Sequence, residues 1–143
     1  MKIKIQNKYL LPSINLLYDL SLKGKESRHR TRFIKLLQEQ LKEVEEERKQ
    51  LAEEFSRKDK NGKPIIEDNK YVLENEKEFY KEYNELMDEE FIIEGANHEE
   101  TLKTVKKILL ECEVAFSGQD AMVYDYLCEQ FEKCEQFEKG EDQ

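Results

Sequence analysis

The apolar positions of this chain change their period several times, and each change predicts an element. Met1 to Ile5 alternate between lysine and apolar residues, which places Ile3 and Ile5 on one face of a short strand that needs a partner. Tyr9, Leu10, Ile14, Leu17, Tyr18 and Leu22 then recur at helical spacing, with Pro12 in a first turn and Gly24 as the stop or bend. A second, longer helix is predicted from Ser27. After Phe33 and Leu36, its apolar residues Leu37, Leu41, Val44, Leu51 and Phe55 fall at intervals of four, three, seven and four, a heptad seam with Arg48 in the missing slot. Glu43, Glu45, Glu46, Glu47 and Lys49 flank the seam. A stripe that narrow cannot nucleate a core alone and requires a partner helix.

Asn61-Gly62 and Pro64 end this helix near Ser56. Ile65 and Ile66, the pair Asp68-Asn69, and Tyr71 to Leu73 predict a two-stranded hairpin. Such a hairpin is marginal in water, so it should lie against a helix end. A third helix follows from about Asn75 to Glu89, with Phe79, Tyr83 and Leu86 or Met87 on one side. Its spacing matches the second helix and predicts an antiparallel helical hairpin with a small β tip. Phe91 to Ile93, ended by Gly95, is the natural partner strand for Met1 to Ile5. Asn97 with Glu100, and Ser117 with Asp120, read as helix-start signals of the capping-box kind. Leu102, Val105, Ile108, Leu109 and Cys112 follow the first, and Val123, Leu127, Phe131, Cys134 and Phe137 the second, giving two more amphipathic helices. The expected fold is therefore mainly α with minor β: a single helical domain over 1–138 and a frayed tail over 139–143.

Composition sharpens this picture. The hydrophobic fraction is 38% and the charged fraction 40%, against about 45–50% and 25% in ordinary globular chains. Long helices that expose charge along most of their length account for that balance, and the periodic apolar spacing argues against general disorder. The net charge of −9 repels phosphate and disfavours nucleic acid and anionic membrane as partners. Cys112, Cys128 and Cys134 form an odd set without CxxC spacing, which predicts reduced thiols on helical apolar stripes rather than disulfides or a zinc site. With neither a signal-peptide pattern nor a membrane-length apolar run, the expected location is the cytoplasm.

Charge also supplies the strongest functional lead. The stretch Lys23 to Lys35 holds six cations against Glu26, a local charge of +5, which leaves −14 on the rest of a chain whose total is −9. Lys25, Arg28, Arg30, Arg32 and Lys35 are the candidate binding residues. Arg28, Arg32 and Lys35 share one helix side, and planar guanidinium groups suit a phosphate or a carboxylate cluster. Pairing with the acids of neighbouring helices is the competing use of the same charges. The seam residues Leu37, Leu41, Val44, Leu51 and Phe55 are the candidate interface for self-association. His29 and His98 sit in no metal-ligand spacing and read as solvent-exposed. With no GxSxG, Walker loop or GxGxxG in the sequence, we expect no catalytic centre, metal or cofactor.

Three segments, LYDLSLKGKESRHRTRFIKLL (Leu17 to Leu37), EYNELMDEEFIIEG (Glu82 to Gly95) and SGQDAMVYDYLCEQFE (Ser117 to Glu132), resemble an uncharacterised family of small phage and prophage proteins from Gram-positive hosts. The resemblance implies a viral product acting inside an infected bacterium and implies no chemistry. The expected function is non-enzymatic: binding a phage or host protein, as an oligomer, in phage assembly. The alternatives are inhibition of a host defence system or host enzyme through an acidic surface, and phosphate or nucleotide capture at Arg28 to Arg32.

Overall fold

The thin seam on the longest helix governs the architecture, because the rest of the chain has to cover it. The computed structural model describes the backbone of residues 1–141 and the side chains of residues 1–134. The packing of Phe137 lies outside the described side chains, and of the tail expected to fray over 139–143 only residues 142–143 lie outside the described backbone. In chain order the elements are β1 (Lys2–Gln6), α1 (Leu10–Tyr18), α2 (Gly24–Glu54), β2 (Ile66–Glu67), β3 (Lys70–Tyr71), α3 (Glu76–Asp88), β4 (Glu90–Glu94), α4 (Glu99–Leu110) and α5 (Gly118–Glu141). Short 3₁₀ turns at Asn7–Tyr9 and Ala96–His98 precede α1 and α4. The fold is mainly helical with a minor β component, as the periodicity predicts.

α2 is 31 residues long, about 46 Å at roughly 1.5 Å per residue. Its first half buries His29, Phe33, Ile34 and Leu37, while its second half buries only Val44 and Ala52. α1 and α4 pack along the first half, and α5 closes over α1, α4 and β1. The rings of Phe33 and Phe131 meet at 5.9 Å in this region. α3 runs back along the second half as the other arm of the antiparallel hairpin, with Phe79 and Ala52 lining one groove near the tip. At the tip, Asp68 and Asn69 both adopt positive φ (51° and 64°), the backbone that a tight two-residue hairpin turn demands and that Asp and Asn tolerate. Arg57 and Ile65 join this hairpin to the end of α2 through the bonds Arg57 N–H to Val72 O (2.8 Å) and Ile65 N–H to Arg57 O (2.9 Å).

β1 and β4 pair antiparallel in the register Ile3 with Ile93 and Ile5 with Phe91, so the strand partners expected from the sequence do meet. α5 is pinned to this pair by Tyr126, whose hydroxyl accepts the Gln6 N–H at 2.9 Å and whose ring stacks on Tyr9 at 3.6 Å. The buried side chain of Asn7 ties three elements together. Its Nδ2 donates to Leu86 O (2.8 Å) at the end of α3, its Oδ1 accepts from Gln40 Nε2 (3.2 Å) on α2, and its backbone N–H donates to Glu89 O (2.9 Å).

Several boundaries differ from the sequence expectation for local reasons. α1 stops at Tyr18, well before Gly24, and leaves Leu20 and Leu22 in a linker. Arg30 donates to Leu17 O (2.8 Å) in the last turn of α1 and to Leu20 O (2.7 Å) in the linker, and so brings a cation to the carboxyl end of the helix. Gly24, at φ +59°, turns the chain into α2 three residues ahead of Ser27. α4 is capped by His98 rather than Asn97, because a 3₁₀ turn intervenes. The capping residue missed in the sequence is Asn75, whose side chain accepts the Glu78 N–H at 3.1 Å. The Asn-x-x-Glu spacing there was signal enough to find it.

If Asn7 is the polar tie between β1, α2 and α3, Asn7→Ala leaves the Leu86 carbonyl and the Gln40 amide without that partner. It should cost about 1–3 kcal/mol of stability in urea unfolding. A loss under about 0.5 kcal/mol, ordinary for a surface change, would show that the three elements are held without it.

Candidate binding surface

α2 presents the basic segment in its first three turns, and the fold divides these cations by use. Lys25 forms an ion pair with Glu100 at the start of α4. Arg30 is half-buried and holds the end of α1, with a further contact to Ser27 Oγ at 3.5 Å. Arg28, Arg32 and Lys35 are exposed and make no ion pair among the described residues. The five candidate residues thus separate into two with structural partners and three facing solvent. Lys35, but neither Arg28 nor Arg32, lines a groove of ≈ 480 Å³ together with Tyr18, Arg30, Thr31, Ile34 and Gln38. Tyr18 stands 75% exposed at its edge. Anion capture is left to Arg28, Arg32 and Lys35, since Arg30 has its guanidinium committed to two carbonyls.

His29 departs from the expectation of exposure. It is only 5% exposed, and its Nδ1 lies 2.8 Å from Thr101 Oγ1, which makes it a core contact between α2 and α4. Burial is the main cause that lowers its pKa below the ordinary histidine value. The nearby Arg32, Lys25 and Arg28 add to the effect, and Glu100 opposes it. The sequence did carry a sign of this: His29 precedes Phe33 and Leu37 at intervals of four, on the buried side of α2. His98 is half-buried at the start of α4.

The seam residues are covered by their own chain. Leu37 and Val44 are fully enclosed in the core, and Leu41 and Leu51 are half-buried against it. Phe55, also half-buried, forms the carboxyl cap of α2. α3 and the start of the chain therefore supply the partner that the stripe required. The cysteines form no disulfides; Cys134 is buried and Cys112 and Cys128 are half-buried. Burial pushes the Cys128 thiol up, away from the reactive thiolate. Tyr124 is raised to about 12, first by burial and then by its bond with Cys128, and its hydroxyl donates to Leu109 O.

At the far end of α2 the aromatic side chains gather. The rings of Phe79, Tyr80 and Tyr83 lie 5.1–6.4 Å apart. Tyr80 is 52% exposed. With Tyr71, Val72 and Leu73 of the hairpin, Phe79 and Tyr80 line a groove of ≈ 610 Å³. On the edge between α2 and α3, a separate groove of ≈ 280 Å³ is lined by Glu47, Glu54, Glu82, Glu85 and Glu89 around Leu51 and Leu86. Among the described residues no helix is long and apolar enough to cross a membrane.

The chain belongs to the family described as "Protein of unknown function (DUF1617)", whose model matches residues 1–141. No curated protein and no solved structure matches the chain.

The buried His29 gives a pH dependence with a definite sign. Because its folded pKa is lowered, the unfolded chain binds the proton more readily, so stability is complete above the unfolded value of about 6.5 and falls as the pH drops below it. Urea midpoints measured between about pH 7.5 and 5.5, above the range where carboxylates titrate, should decline on acidification, and His29→Gln should flatten that decline. An equal decline in both proteins would place the titrating group elsewhere.

Proposed function

We propose that the protein is a non-enzymatic phage accessory protein that binds a protein partner during assembly of phage components in the cytoplasm of the host bacterium. The observation that carries this reading is the aromatic groove at the hairpin tip, where Tyr80 is held half in water beside Phe79, Tyr71 and the apolar residues of β3 and its continuation. Rigid aromatic side chains in such a groove are the usual anchors of protein interfaces, since they bring a large contact area at small entropic cost. Groups that elsewhere do chemistry support the same reading by where they point: His29 packs on Thr101, Tyr124 donates to a backbone carbonyl, and the Cys128 thiol is held protonated by burial. The phage origin rests on the resemblance of the three segments named above. Self-association, part of the same proposal, has half-buried Leu41, Leu51 and Phe55 to draw on, since Leu37 and Val44 are closed off.

A second reading is favoured by the glutamate-lined groove between α2 and α3. Such an acidic face can occupy the basic cleft of a host defence protein or host enzyme, and capture by it should weaken steeply with salt. A third, phosphate or nucleotide capture, is supported by the exposed Arg28, Arg32 and Lys35, the last of which shares a groove with Tyr18.

Affinity capture of the tagged protein from infected cells, followed by mass spectrometry, tests the leading proposal. We expect one phage or host protein to be retained in near-stoichiometric amount and lost from a Tyr80→Ala, Ile66→Ser variant. Retention unchanged by the variant would move the contact away from the tip. No protein retained above the tag alone, together with thermal stabilisation by a nucleotide panel that Arg28→Ala and Arg32→Ala abolish, would replace protein binding with the third reading.

A further inference from the structure

The other end of α2 carries a second apolar cleft, distinct from the tip in chemistry and position. Leu16, Leu20, Ile108 and Phe116 form its floor, in a space of ≈ 520 Å³ between the linker after α1 and the linker after α4. Val114 stands 54% exposed at its margin. Four carboxylates, Asp19, Glu26, Glu111 and Glu113, surround this floor, and no lysine or arginine lines it. None of the four is ion-paired among the described residues. From Glu26 here to Ala52 at the aromatic groove is about 39 Å along the helix axis.

The position of two of these acids runs against the local physics. Asp19 is the carboxyl cap of α1 and Glu111 the carboxyl cap of α4. Helix carboxyl ends carry partial negative charge and favour cations, so a carboxylate there is repelled. Arg30 donates to Leu17 O of α1 and to Leu20 O of the linker but forms no ion pair with Asp19. No lysine or arginine side chain lines the cleft itself to offset the four carboxylates around its apolar floor. An apolar floor ringed by carboxylates, with no cation in its lining, has the charge pattern that complements a basic partner.

We propose that this cleft docks a basic amphipathic segment of a protein, whose apolar side chains enter between α1 and α4 while its lysines or arginines meet Asp19, Glu26, Glu111 and Glu113. The apolar floor sets the depth of insertion, and the acidic rim selects the sign of the partner's charge and speeds the encounter. This surface is independent of the tip, so one molecule can bridge two partners, which suits a role in assembly.

The test uses the full chain and a fluorescent amphipathic helical peptide built of leucine and lysine alone, with a leucine-glutamate peptide of the same pattern as the control. Fluorescence anisotropy should show binding of the leucine-lysine peptide that weakens as salt is added. Asp19→Asn, Glu111→Gln and Glu113→Gln together should reduce its affinity by about tenfold or more. The equally charge-changing set Glu39→Gln, Glu43→Gln and Glu46→Gln on α2, and the tip variant Tyr80→Ala, should reduce it by less than about threefold. The cleft variant should unfold at the same temperature as the parent or higher, because the carboxylates oppose their own helix ends. Equal loss in the two charge sets would reduce the effect to bulk acidity and overturn the proposal, as would no binding, equal binding of the leucine-glutamate peptide, or a lower unfolding temperature of the cleft variant. Each of these outcomes leaves the partner contact at the tip to be judged by its own capture experiment.

Discussion

α2 carries much more charge than apolar surface, and its length exceeds what any one neighbour can cover. A helix of this kind is stable only where its stripe is buried, so everything else in the molecule is arranged along it. α1, α4 and α5 enclose the first half, where Phe33, Ile34 and Leu37 each contribute about 1.5–3 kcal/mol by burial. α3, with the turn at Asn7 and the hairpin, covers the second half, where burial thins to Val44 and Ala52. Polar ties then fix the lateral order: Asn7 between α2 and α3, His29 with Thr101 between α2 and α4, and Arg30 between α2 and α1.

The same constraint explains what was legible in the sequence. Periodicity reports which residues need cover, and it located the helices, the pairing of β1 with β4 and the turn at Asp68-Asn69, because each is encoded within a few residues. It does not report who supplies the cover. The seam of Leu37, Leu41 and Val44 looked like an interface because the neighbours that close it lie far away in the chain. Arg30 looked like part of an anion site because its true partners are carbonyls at the end of α1 and in the linker after it, ten or more residues upstream. His29 looked exposed by residue type, although its spacing to Phe33 placed it on the buried side. The aromatic side chains of α5 are committed to packing, with Tyr126 stacked on Tyr9 and Phe131 against Phe33, whereas the aromatic groove belongs to α3 and the hairpin.

The functional consequence is a molecule whose reactive side chains are committed to packing and whose two ends are chemically different. The tip presents aromatics; the base presents an apolar cleft ringed by carboxylates. Between them run faces dense in glutamate that keep the protein from associating indiscriminately, since like charges on two copies repel. This division is the physical basis of the proposed role in connecting partners.

The account depends on α2 being covered by its own chain. Backbone hydrogen exchange read by mass spectrometry, at a low protein concentration and at one roughly a hundredfold higher, measures this directly. We predict that peptides spanning His29 to Val44 exchange most slowly, at rates independent of concentration, and that the last turns of α2 and the hairpin tip exchange faster. Protection of Leu37 to Phe55 that emerged only at the higher concentration would mean that a second copy covers the stripe, and would contradict the account.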